Sequence, residues 1–184
     1  MLRKLGSFIF ETLQVIIFAV SIFLFIYLLV LQPHKIKGQS MFPNFEDGEF
    51  LLTDKVSYRF GEAMRGDVVV FQAPGTEQDF IKRIIGLPGD IVMVKDGNVF
   101  INNKQLHESY LSDDVKTHPS RFSAEGASAT VPSGSFFVLG DNRGNSLDSR
   151  SFGFINKNAI SGKAWFVYWP PNIAGPVESP LYSL

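Results

Sequence analysis

The chain has 184 residues and a mass of 20.5 kDa, room for one core-forming domain with an appendage. Seventeen basic against eighteen acidic side chains give a formal net charge of -1, so no global basic field points to nucleic acid. Cysteine is absent, which removes disulfides, thiolate metal centres and a cysteine nucleophile, and the three histidines (His34, His107, His118) lack metal-ligand spacing.

Hydrophobic residues make up 45% of the chain and mean hydropathy is +0.10, high for a soluble domain, and the excess sits near the N-terminus. From Val15 to Leu31 the only polar side chains are Ser21 and the hydroxyl of Tyr27. Starting at Thr12, about 20 residues rising ~1.5 Å each cross a hydrocarbon core of roughly 30 Å. The run carries no polar stripe of helical period, as lipid on all sides requires. A cleavable signal peptide would need a shorter apolar core and a small-x-small site, but Leu31 is followed by Gln-Pro-His-Lys-Ile-Lys. A buried helix of a soluble protein would be unusually long and uniform. The reading is an uncleaved single-span anchor over 12–31, after a short tail at 1–11 and before a domain at 32–184. Arg3 and Lys4 are matched by Lys35 and Lys37, so charge counting leaves the orientation open.

Beyond the anchor, short apolar runs separated by turn residues predict strands at Glu49–Val56, Asp67–Gln72, Phe80–Ile85, Ile91–Lys95, Asn98–Ile101, Ser135–Leu139 and Ala164–Trp169. Asp96–Gly97 predicts a tight hairpin, because glycine accepts the positive φ that such turns need. Leu87-Pro88-Gly89-Asp90 fits a type II turn. Residues 112–130 are polar and longer than most connections in compact domains, which suggests a functional flap or a mobile insertion. The tail from Pro170 has four prolines and is expected to be irregular. The fold class is therefore mostly β, a β-rich domain on a single helical stalk.

Several catalytic templates are missing. There is no Gly-x-Ser-x-Gly elbow, no Ser-x-x-Lys and no phosphate-binding glycine loop. Asp141 opens a run like a calcium loop, but Ser146 stands where glycine is required. Four segments remain: Gly38-Gln39-Ser40-Met41-Phe42-Pro43, Arg65-Gly66-Asp67-Val68-Val69-Val70-Phe71, Lys82-Arg83-Ile84-Ile85-Gly86-Leu87-Pro88-Gly89-Asp90, and Gly140-Asp141-Asn142-Arg143-Gly144-Asn145-Ser146-Leu147-Asp148-Ser149-Arg150. In order, spacing and position behind an N-terminal anchor they resemble the type I signal peptidases, in particular the short Gram-positive-like forms.

The resemblance implies a serine nucleophile at Ser40 with a lysine general base at Lys82. Ser146 matches the serine that hydrogen-bonds the lysine amine. Asp148 and Arg150 match a charged pair that supports the site, and Asp141 and Arg143 match another. Gly38, Met41 and Pro43 match positions that shape the nucleophile's turn and the adjoining substrate surface. Some relatives carry, in place of Gly38, a serine whose hydroxyl helps hold the oxyanion; here the resemblance leaves that duty to the Ser40 N–H and a second donor that the sequence does not name. Asn44 stands where many relatives have threonine. The implied activity is membrane-bound removal of signal peptides from exported preproteins, with small residues, often alanine, favoured at the first and third positions before the cut. It further implies a cytoplasmic N-terminus, a catalytic domain on the outer face, membrane lipid and the protein-export machinery as partners, and no metal or organic cofactor.

The residues themselves leave alternatives open. An unperturbed lysine, with pKa ~10.4, is neutral in only about 0.04% of molecules at pH 7, so a lysine base must be desolvated. In a strand, Phe80, Lys82 and Ile84 share one face, but Ile81, Arg83 and Ile85 form an equally apolar opposite face. Pattern alone does not say which charge is buried; the resemblance selects Lys82. A self-cleaving serine–lysine peptidase and a non-catalytic membrane-tethered β module are the competing functions.

Overall fold

The structure is a computed structural model that describes residues 2–180 and Tyr182, with the side chains of residues 2–5, 28, 59 and 60 outside the description. The flanking charges Arg3 and Lys4 and the last residues of the proline-bearing tail therefore lie outside the described set. Helix α1 spans Leu2–Leu29. Its 22-residue stretch Gly6–Tyr27 is long and apolar enough to cross a membrane, and its most apolar window is wholly unburied. Its two internal hydroxyls turn back onto the helix: Thr12 Oγ1 donates to the Phe8 carbonyl at 2.8 Å and Ser21 Oγ to that of Ile17 at 2.7 Å. Both are thus satisfied without water, as hydrocarbon surroundings demand.

The helix stops before the expected end of the anchor, for Val30 is a turn and Leu31 already opens strand β1 (Leu31–Lys35). That strand was not predicted. It contains Pro33, which cannot donate to a ladder and is tolerated here because β1 lies at the sheet edge. The principal sheet continues with β2 (Phe50–Asp54), β3 (Val68–Gln72) and β4 (Asp79–Gly86). A separate antiparallel sheet has β5 (Ile91–Lys95), β6 (Asn98–Ile101), β7 (Lys104–Gln105) and β8 (Ser128–Thr130), in the order β7-β6-β5-β8. The chain then returns to the first sheet with β9 (Ser135–Leu139), β10 (Ile155–Asn156), β11 (Ile160–Trp169) and β12 (Gly175–Pro176). Its order is β1-β2-β11-β3-β4-β9-β10, with β12 beside β11.

All seven predicted strands are present, with ends shifted by a few residues. Asp96 and Gly97 both have positive φ, 51° and 76°, so the β5–β6 hairpin is the expected two-residue turn. The Leu87–Asp90 turn closes through Asp90 N–H to the Leu87 carbonyl at 3.0 Å, with Gly89 at φ 88°.

Both faces of the central strands are covered, which is why β3 reads as an unbroken apolar run rather than an alternating one. Val68 and Val70 pack with Ile36, Met41, Phe45 and Leu51 on one side. Val69 and Phe71 pack with Ile84, Phe136 and Val138 on the other. From Lys82 onward strand β4 shares this double burial, so the charges at 82 and 83 have no solvent face.

The polar segment 112–130 is tied to the domain by backbone hydrogen bonds. Thr117 N–H donates to the Gly97 carbonyl at 2.9 Å, Phe122 and Ser123 N–H to the Arg150 carbonyl at 2.8 and 3.0 Å, and its end is strand β8.

Candidate active site

Two strands bring the site together. The turn after β1 carries Ser40, and β4 carries Lys82 with its neighbours Phe80 and Ile84. Lys82 Nζ lies 2.7 Å from Ser40 Oγ and 2.8 Å from the Ile81 carbonyl oxygen. The lysine is only 3% exposed. Burial lowers its pKa from 10.5 to about 8, against the opposing pull of Asp148 and, less, Asp141. At pH 7 the neutral fraction thereby rises from about one molecule in 3,000 to about one in ten. That factor makes the amine usable as a base.

The question that pattern left open has a double answer: Lys82 and Arg83 are both buried, on opposite faces of β4. Arg83 is neutralised by a fork to Asp141, Nε to Oδ1 at 2.9 Å and Nη2 to Oδ2 at 2.6 Å. Its Nη1 donates to the Gly66 carbonyl at 2.9 Å, and its guanidinium lies 4.2 Å from the Tyr110 ring centre. Among the described residues no carboxylate bonds Lys82, so desolvation prevails there; at Arg83 desolvation is again the largest single influence, but the hydrogen bonds and charge of Asp141 with its neighbours outweigh it.

The expected pairing of Asp141 with Arg143 is not made. Asp141 belongs to Arg83, and Arg143 forms a fork with Glu108, Nη1 to Oε2 at 2.8 Å with Nη2 on Oε1. Arg143 also donates to Thr117 Oγ1 at 2.6 Å, the Gly140 carbonyl at 3.1 Å and the Tyr110 hydroxyl at 3.1 Å. The physical reason is fan-out from a tight turn: residues two apart there leave in different directions and meet partners from distant segments. Asp148 and Arg150 do pair, Oδ1 with Nε and Oδ2 with Nη2, both at 2.8 Å. Asp148 also accepts from the Gly140 N–H at 3.1 Å and caps the short helix α2 (Ser149–Phe152).

Ser146 makes no hydrogen bond to the lysine: its Oγ is buried without a partner, while the amine bonds Ser40 and the Ile81 carbonyl. A Cβ at Gly140 would stand 2.1 Å from Ser146 Oγ and 2.4 Å from the Ser40 carbonyl oxygen. Glycine is therefore required where the 140–146 turn presses onto the nucleophile's backbone. Gly38 has φ 84°, a left-handed conformation, and its N–H is spent on Asp47 Oδ1 at 2.7 Å. Among the described residues nothing accepts from the Ser40 N–H.

Met41 and Pro43 do not line the cleft that holds Ser40 and Lys82. Met41 is 1% exposed and packs with Ile36 and Phe45, while Pro43 lines a separate cavity. Residues that sequence reasoning missed are Glu108, Tyr110 and Thr117, which clamp Arg143, and Asn44, whose Nδ2 donates to Asp141 Oδ2 at 2.9 Å. The amide at position 44 thus joins the Arg83–Asp141 fork to the nucleophile's turn.

The cleft has a volume of about 720 Å³. One wall is β1 and the residues after it; the other is the first half of β4, with Leu147 at the rim. β9 pairs with β4 only from Arg83 onward, so Asp79–Lys82 keeps one backbone edge unpaired, and β1 is itself a sheet edge. His34 Nδ1 of β1 and Asp79 Oδ2 of β4 lie 3.9 Å apart across the cleft.

An alcohol in contact with a desolvated amine, beside two open strand edges, is the arrangement of a serine peptidase with a lysine base. The chain belongs to the signal peptidase family: its residues 9–169 match the family described as signal peptidase, peptidase S26. It is 38% identical over 168 residues to the signal peptidase I of Bacillus licheniformis, a match covering 89% of this chain and 90% of that one. It is 37% identical over 163 residues to the signal peptidase I T of Bacillus subtilis, covering 86% and 84% respectively. A solved signal peptidase I from Enterococcus faecalis is 34% identical, with a TM-score of 0.47 over 55% of this chain and 96% of that one.

Proposed function

We propose that Ser40 and Lys82 are the nucleophile and general base with which this chain, anchored by α1, cuts signal peptides from exported preproteins. Family membership makes it a serine endopeptidase of the signal-peptide-processing class. The observation that carries the assignment of residues is the 2.7 Å contact between a partly exposed serine hydroxyl and a buried, depressed-pKa lysine.

Each step follows from that contact. The neutral amine takes the Ser40 proton as Oγ attacks the scissile carbonyl, and the oxygen that becomes negative is held by the Ser40 N–H. The resulting ammonium protonates the departing amine, which is the new N-terminus of the mature protein. An acyl ester on Ser40 remains. Lys82, neutral again, deprotonates a water that releases the signal peptide and restores the serine. The burial that disfavours the ammonium also makes it a willing acid for the second transfer.

Recognition uses the two open edges. An extended segment seated between β1 and residues 79–82 would pair its backbone with both and aim alternate side chains into the cleft. The apolar wall of Ile36, Leu51, Val70 and Ile81 suits small side chains near the cut. Ser40 lies eleven residues after the end of α1, so at most about 40 Å of extended chain separates it from the helix end. Enzyme and the apolar helix of a signal peptide would then share one membrane surface, which raises their effective concentration without new contacts. In this reading the N-terminus is cytoplasmic, the catalytic domain is on the outer face, and lipid and the export machinery are its surroundings.

Purified full-length protein is expected to cleave a synthetic preprotein at a single junction, and Ser40→Ala to reduce turnover to background with an unchanged melting curve. Cleavage by Ser40→Ala at the wild-type rate would overturn the assignment. A self-cleaving role predicts processing of the chain itself with no preprotein present, and a non-catalytic tether predicts no cleavage at all.

A further inference from the structure

The 140–146 turn touches the nucleophile's backbone at two consecutive carbonyls. Asn142 Nδ2 donates to the Gln39 carbonyl at 3.0 Å, and Asn142 N–H donates to the Ser40 carbonyl at 3.0 Å. The turn's own closing bond, from Phe42 N–H to the same Gln39 oxygen, is longer at 3.2 Å. Asn142 is itself held firmly. It follows Asp141, which is locked in the fork to Arg83, and its carbonyl accepts from the Asn145 N–H at 3.0 Å.

Peptide planarity turns these bonds into a statement about direction. The Gln39–Ser40 bond is trans, so its C=O and N–H point to opposite sides of one rigid plane. Holding the Gln39 oxygen toward Asn142 aims the Ser40 N–H the other way. The same holds one residue on, where the Ser40 carbonyl is held by the Asn142 N–H. The Gly38 N–H is consumed by Asp47, whereas the Ser40 N–H has no acceptor among the described residues and stays available at the nucleophile.

We propose that Asn142 is a positioning residue for the oxyanion: its side-chain amide fixes the Gln39–Ser40 peptide plane so that the Ser40 N–H faces the developing negative charge. This rests on the reading of Ser40 as nucleophile. Asn142 touches neither substrate nor proton, so its effect belongs to the transition state alone. A donor swung out of line forfeits part of the ~10²–10³-fold that one oxyanion bond is worth.

The test compares Asn142→Ala and Asn142→Leu, the second preserving bulk, with the wild type and Ser40→Ala on one preprotein. Rates are taken at a temperature where melting curves show each variant folded. Both Asn142 variants are expected to lose about 10–100-fold in kcat with KM unchanged. The pH at which kcat/KM inflects should stay in place, since Lys82 is untouched. Affinity for a peptide aldehyde, which forms a tetrahedral adduct on the serine, should fall by the same factor as kcat. An unchanged kcat, a rise in KM that accounts for the loss, a moved inflection, or undiminished aldehyde affinity would each overturn the role of Asn142. Wild-type turnover no greater than that of Ser40→Ala would instead overturn the catalytic reading beneath it.

Discussion

Lys82→Met is expected to abolish cleavage and at the same time raise the melting temperature at pH 7. Loss of the base removes a contribution of about 10²–10⁴-fold. The gain in stability comes from removing a charge that the fold desolvates. Burial is the largest influence on this lysine and lowers its pKa to about 8, against 10.5 when free. Between those two values the unfolded chain binds more protons than the native one, so wild-type stability rises with pH across that window. Below about pH 8 the full cost of a buried ammonium is present, on the order of 3 kcal/mol; above about pH 10.5 it is gone. Methionine fills a similar volume without the charge. The melting temperature of Lys82→Met should therefore exceed that of the wild type by roughly 6–12 °C at pH 7, with the gap closing toward pH 10.5. A variant that melts lower than the wild type at pH 7 would mean that the lysine is stabilised by its contacts rather than held against its solvation. Lys82→Arg should be equally inactive, because a guanidinium keeps its proton.

Asp141→Ala carries the largest expected loss of stability. It removes both acceptors of the buried Arg83 fork and the anchor of Asn44, leaving a guanidinium that is 3% exposed without its counter-ion. Breaking one side of a buried pair costs about 3–5 kcal/mol, far more than deleting an exposed ion pair. Replacing both partners with apolar residues, Asp141→Leu with Arg83→Met, should recover much of that loss, since no orphaned charge remains. Thermal melting of the two single variants and the double variant decides it. Additive losses in the double variant would show that the fork contributes packing rather than charge compensation.

How much of this was legible in the sequence depended on the range of each interaction. Local signals sufficed for the apolar N-terminal helix, the seven predicted strands and the Asp96–Gly97 and Pro88–Gly89 turns, because apolar runs, φ preferences and side-chain alternation act within a few residues. Strand β1 escaped because Pro33 and the charged residues beside it hide a strand whose polarity is allowed only by its edge position. Ser40 and Lys82 were found through motif resemblance. Periodicity could not choose between Lys82 and Arg83, because a strand covered on both faces buries both. The partner of Asp141 was misassigned for a related reason: Arg83 lies 58 residues away across the sheet, whereas Arg143 is merely close in sequence. The bonds that tie residues 112–130 to Arg143, Arg150 and the β5 edge reach across the fold, and no local pattern reveals them.

The rate of preprotein cleavage as a function of pH tests the desolvated amine most directly. With Lys82 as base, kcat/KM rises with pH and levels off through one inflection near the lysine's depressed value of about 8. At pH 6 it should stand about 100-fold below the plateau, since only about 1% of molecules then hold the amine neutral. A rate that stays flat from pH 6 to pH 10, or that inflects only at the ordinary lysine value, would contradict a buried neutral lysine as the base.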